Sequence, residues 1–74
     1  MNTSVSGRLR LQVNGEPREF PGPLDCAALV EALDLGQRRI ALERNGEIVP
    51  RSRLAGTPLV DGDRIEIVVA VGGG

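Results

Sequence analysis

Arg8-Leu9-Arg10-Leu11-Gln12-Val13 alternates polar and apolar residues without a break. A period of two belongs to a strand with one face in the core, so Leu9, Leu11 and Val13 are expected inside and Arg8, Arg10 and Gln12 in water. Asn14-Gly15 comes next, a dipeptide with easy access to positive φ, and Glu16 to Phe20 return from it as a second strand. Pro21-Gly22-Pro23 is expected to end the pairing, because proline brings no donor to the ladder.

From Asp25 to Leu35 the period changes. Cys26, Leu29, Val30 and Leu33 fall at i, i+3, i+4 and i+7, one apolar stripe for a helix laid across a sheet. Asp25 is the expected N-cap and Gly36 the expected residue just past the C-cap. Ile40 to Arg44 reads as a third strand with Ile40 and Leu42 on one face. Asn45-Gly46 turns it into a short fourth strand around Ile48 and Val49, which Pro50 ends. Arg51 to Pro58 is irregular or holds a single helical turn, and Asp61-Gly62-Asp63 is a turn. The last strand spans Arg64 to Val71, with Ile65, Ile67 and Val69 beneath the helix and Glu66, Val68 and Ala70 on the far face. This order predicts an α+β fold, a mixed sheet of four to five strands with one main helix packed across it.

Composition narrows the function. The 74 residues suffice for one domain, and they include no His, Lys, Tyr or Trp and one Cys, while all nine cations are Arg. A His-based triad and a Cys/His zinc cluster are excluded, so no catalytic and no metal-ligating residue is assigned, and the chain reads as a non-enzyme. Net charge is −1, with acids and arginines interleaved. Without a basic stripe or stacking aromatics, no nucleic acid is expected as a partner. No segment has bilayer-spanning length and residues 1–7 lack the features of a signal peptide, so no membrane is expected and the chain is placed in the cytoplasm. Cys26 has two readings: a small buried hydrophobe, or a thiol that traps an activated partner.

The chain ends on Val71-Gly72-Gly73-Gly74. Without Cβ atoms, such a tail can lie extended in a channel too narrow for other residues, and its one reactive group is the Gly74 carboxylate. Ordinary fraying of a terminus is the other reading. Val68 and Ala70, just before it on the uncovered face, are either scattered surface residues or a docking patch.

Asn-Gly and Asp-Gly-Asp are common turns, but their order and spacing here are specific. Asn45-Gly46-Glu47-Ile48-Val49-Pro50-Arg51-Ser52, then Leu59-Val60-Asp61-Gly62-Asp63-Arg64-Ile65-Glu66-Ile67, then the glycine end together resemble the ThiS family, the β-grasp, ubiquitin-like sulfur carriers of thiamin (thiazole) biosynthesis. The resemblance divides the chain into a flexible N-terminal extension (1–7), a β-grasp domain (8–71) and a flexible glycine tail (72–74). It implies that a ThiF-like, E1-like enzyme uses ATP to adenylate Gly74. Sulfur from a cysteine desulfurase or related persulfide donor then leaves a covalent thiocarboxylate there, which a ThiG-like thiazole synthase consumes. No cofactor is bound by the carrier itself. Gly72 and Gly73 would lead into partner active sites, and Val71, Ala70, Val68 and Glu43 would meet the partner surface.

Two alternatives belong beside this. The small subunit of molybdopterin synthase shares fold, tail and chemistry, but its members often carry a proline pair where this chain has Val68-Val69-Ala70-Val71, and Ile48-Val49-Pro50-Arg51 favours the thiamin branch. A protein modifier, joined to other proteins through Gly74, is the alternative of another class. One departure from the ThiS pattern is Arg53-Leu54, where many relatives have an aromatic residue soon after Pro-Arg-Ser.

Overall fold

The computed structural model describes residues 7–70. Five strands and one helix follow in the order β1 (Arg8–Val13), β2 (Glu16–Pro21), α1 (Cys26–Ala32), β3 (Ile40–Arg44), β4 (Glu47–Val49) and β5 (Arg64–Val69), with a 3₁₀ turn over Arg51–Gly56 before β5. They form one mixed sheet in the order β2-β1-β5-β3-β4. The first and last strands therefore lie side by side and parallel at its centre, while β2, β3 and β4 pair antiparallel with their neighbours.

The alternation of β1 and β5 decides which side is covered. Leu11, Val13, Ile65 and Ile67 point inward and join Leu42 and Phe20 beneath Cys26, Leu29 and Val30 of the helix, with Leu59 closing the cluster. Opposite them Arg8, Arg10, Gln12, Ala41, Glu66 and Val68 face solvent. The sheet thus has one covered face and one open face, the usual arrangement where a helix lies on one side only.

Asp25 caps the helix as expected, its carboxylate accepting from the Ala28 N–H at 2.8 Å. The other end differs from expectation. Leu33 is the C-cap, and Asp34, not Gly36, takes the left-handed position after it with φ 62°. The N–H groups of Asp34 and Leu35 donate to the carbonyls of Glu31 and Val30 at 2.9 Å each. That pair of bonds is the Schellman arrangement, and it ends the helix at Ala32, four residues before the glycine. Gly36 instead lies against the Glu31 carboxylate.

Pro21 is a second correction. It does not stop the pairing; it is the last residue of β2, opposite Arg8. Gly22 donates to the Gly7 carbonyl, and bonded pairs alternate along an antiparallel ladder. By that alternation Phe20, Arg18 and Glu16 bond inward to β1, whereas Pro17, Glu19 and Pro21 face away from it. Both prolines fall where an N–H would have pointed off the sheet, so an edge strand accommodates them. The last strand, expected to reach Val71, ends at Val69; Ala70 continues the path by donating to the Arg39 carbonyl at 2.9 Å.

Candidate functional site

The root of the glycine tail is the C-terminal end of β5, a central strand secured from both sides. The two Asn-Gly turns do more than reverse the chain. Asn14 and Asn45 adopt φ 52° in those turns, which aims both amides at β5. Asn14 accepts from the Ile67 N–H at 2.8 Å and donates to the Ile67 carbonyl at 3.2 Å. Asn45 accepts from the Arg64 N–H and donates to Asp63, both at 2.9 Å. The Asn14 side chain acts as a peptide group would, continuing the sheet where β1 has already turned away, whereas Asn45 ties the start of β5 to the Asp63 carboxylate.

Among the described residues Asp63 is the buried charge, 3% exposed. Its carboxylate accepts from Arg44 Nε, the Asn45 amide and the Val60 N–H, each at 2.9 Å. Burial alone would raise its pKa, but the Val60, Asn45 and Arg44 donors outweigh that and hold it below the ordinary carboxylate value. This role was hidden behind the turn reading of Asp61-Gly62-Asp63. Cys26 is fully buried, and that burial pushes its thiol upward, away from the reactive thiolate, with Arg44 opposing and Asp25 and Asp63 reinforcing.

On the open face the site residues of the sequence reading come together in part. Val68 is 67% exposed and lies opposite Ala41. Glu43, half-buried, lies opposite Glu66 on one side and Ile48 on the other. Ala70 is exposed one step beyond the end of β5. Val71, Gly72, Gly73 and Gly74 lie outside the described residues. The sequence reading missed Ala41 and Ile48 as members of this face. A signal for both existed: if Ile40, Leu42 and Val49 point inward, period two sends Ala41 and Ile48 outward. The face is an apolar patch of Val68, Ala41 and Ile48 with two carboxylates among them. An exposed apolar patch of this kind suits the docking of a partner surface.

A short mixed sheet grasping one helix, with the first and last strands parallel at its centre, defines a ubiquitin-like β-grasp domain. The solved ThiS thiamine biosynthesis protein of Geobacter metallireducens superposes with a TM-score of 0.76 at 35% identity, over 89% of this chain and 100% of that one. The ThiS family model matches residues 11–74. The chain belongs to the ThiS family. A thiazole synthase of Paramagnetospirillum magneticum is 44% identical over 66 residues, 89% of this chain but 20% of its own length, so the chain spans about a fifth of that relative. The uncharacterized protein ycf40 of Porphyra purpurea is 36% identical over 95% of this chain and 99% of its own. Among the described residues no helix is long and apolar enough to cross a membrane, and no cluster of three or more metal-ligating side chains occurs.

Proposed function

We propose that this chain is a sulfur carrier for thiazole formation, with Gly74 as the carrying residue. What supports the reading is the family match, which runs through the three glycines to residue 74. The relatives named thiazole synthase favour that enzyme class as the consumer of the sulfur. The chemistry requires activation first. A carboxylate with a reference pKa of about 3.3–3.7 is an anion at neutral pH and resists further nucleophilic attack. In the active site of an E1-like enzyme, a Gly74 carboxylate oxygen attacks the α-phosphorus of ATP and expels pyrophosphate, leaving an acyl adenylate. The terminal sulfur of a donor persulfide then attacks the carbonyl and AMP leaves. A thiol then attacks the donor's cysteine sulfur in the resulting acyl disulfide, forming a new disulfide with it and breaking the S–S bond, so that the transferred sulfur stays on the carbonyl as the thiocarboxylate.

In this scheme the folded domain supplies recognition, through Val68, Ala70 and Glu43, and Gly72 and Gly73 supply reach. Every catalytic group comes from the partners. Two experiments test the reading. Intact-mass measurement of protein from cells making thiamin should show a species with one oxygen exchanged for sulfur, lost on deletion of Gly74. ATP–pyrophosphate exchange by the adenylating enzyme should likewise collapse with the Gly74 deletion or with Gly73→Leu. Undiminished exchange with both variants would overturn the proposal.

A further inference from the structure

The open face contains an arrangement that the fold itself does not use. Glu43 and Glu66 stand directly opposite each other on β3 and β5. Like charges in that register destabilise a sheet. The described residues make ion pairs elsewhere, Arg8 and Arg10 with Glu19 and Arg44 with Asp63, yet neither Glu43 nor Glu66 takes part in one. Each carboxylate also has apolar neighbours: Ile48 lies across from Glu43, and the Val68–Ala41 pair is the next outward-facing pair along the same two strands.

A partner that covers Val68, Ala41 and Ile48 takes both carboxylates out of water. Two desolvated anions cost more than the apolar contact returns unless a cation reaches them, and Arg64, two residues before Glu66 on the same face of β5, makes no ion pair with either acid among the described residues. The surface therefore accepts an occupant that brings a positive charge to this point. A guanidinium suits the position better than an ammonium, because its planar fork donates to two acceptors at once and sheds its hydration more readily.

We infer that Glu43 and Glu66 form a two-carboxylate seat, within the apolar patch of Val68, Ala41 and Ile48, for an arginine side chain of the adenylating partner. This rests on the carrier reading above. The mutual repulsion of the two acids is relieved when the arginine arrives, so the seat adds to affinity and fixes the register of docking. It also disfavours partners that present an acid or a bare apolar surface at that point.

The test separates stability from binding. Glu43→Gln, Glu66→Gln and the double variant are compared with the wild-type chain and with Glu16→Gln, the same charge change on the far edge strand. The double variant should melt about 2–5 °C higher than wild type, since repulsion is removed. It should bind the adenylating enzyme about tenfold more weakly, with a shallower dependence on salt. Glu16→Gln should bind as wild type does. Unchanged affinity of the double variant, or weaker binding accompanied by a lower melting temperature, would overturn the seat. If the wild-type chain supports pyrophosphate exchange while the double variant binds normally, the seat alone fails. If the wild-type chain supports no exchange, the carrier reading fails and takes the seat with it.

Discussion

The side chain of Asn14 holds both backbone polar groups of Ile67, accepting at 2.8 Å and donating at 3.2 Å across 53 positions of sequence. A turn residue at the start of the chain thereby secures the strand that leads to its end. Asn14→Gly keeps the positive φ and deletes only the amide. It should destabilise the domain by about 1–2 kcal/mol, because two hydrogen bonds are lost and part-buried groups of Ile67 go unsatisfied. Hydrogen exchange at the Ile67 amide, compared in the two proteins, checks this; equal protection would show that the amide contributes nothing.

This pair also marks how far the sequence could be read. The strands, both Asn-Gly turns and the helical stripe of Cys26, Leu29 and Val30 were legible, because each follows from periodicity or local backbone preference. The long-range role of Asn14 was not, since nothing local says that β5 lies beside β1. Pro21 was misread for the same reason: whether a proline blocks pairing depends on which way its nitrogen faces, and that depends on sheet order. Of the candidate site, the exposure of Val68 and Ala70 was legible from alternation. The opposition of Glu43 and Glu66 required the register between two strands separated by a hairpin and a 3₁₀ turn.

The helix end offers a contrast between neighbours. Asp34 carries the left-handed conformation at φ 62°, so Asp34→Gly should stabilise the domain by about 0.5–1 kcal/mol. Gly36→Ala should change stability by less than about 0.5 kcal/mol, because the Glu31 carboxylate it would meet is the exposed end of a flexible side chain. Thermal melts of the two variants decide it. The reverse order of effects would restore Gly36 as the terminating residue.

Asp63 sets the response to acid. Burial raises its pKa, but its bonds to Val60, Asn45 and Arg44 prevail, so the folded-state value lies below the unfolded one. The group's contribution to stability is whole above about pH 4, near the unfolded value, and is lost as pH falls through the folded value. Denaturant midpoints should therefore drop on acidification below that point. Asp63→Asn should flatten the drop and cost about 2–3 kcal/mol at neutral pH, with Arg44 left half-buried beside an uncharged group.

Val68 tests the proposed docking face without disturbing the core. At 67% exposure it holds little of the fold together, so Val68→Thr should alter stability by less than about 0.5 kcal/mol. Val68→Asp adds a third carboxylate beside Glu43 and Glu66 and should weaken binding to the proposed adenylating partner about tenfold or more. Titration of that enzyme with each variant gives the comparison. Affinities equal to wild type for both would remove Val68 from the interface.

The two prolines of β2 have a consequence for the behaviour of many copies together. Of the three positions facing away from β1, Pro17 and Pro21 have no hydrogen to offer and Glu19 alone retains one. A strand from another molecule would find almost no donors there, and the opposite edge, β4, is three residues long. Both ends of the sheet are thereby poor templates for a further strand. A small β-rich protein with edges of this kind is expected to resist edge-to-edge association as its concentration rises.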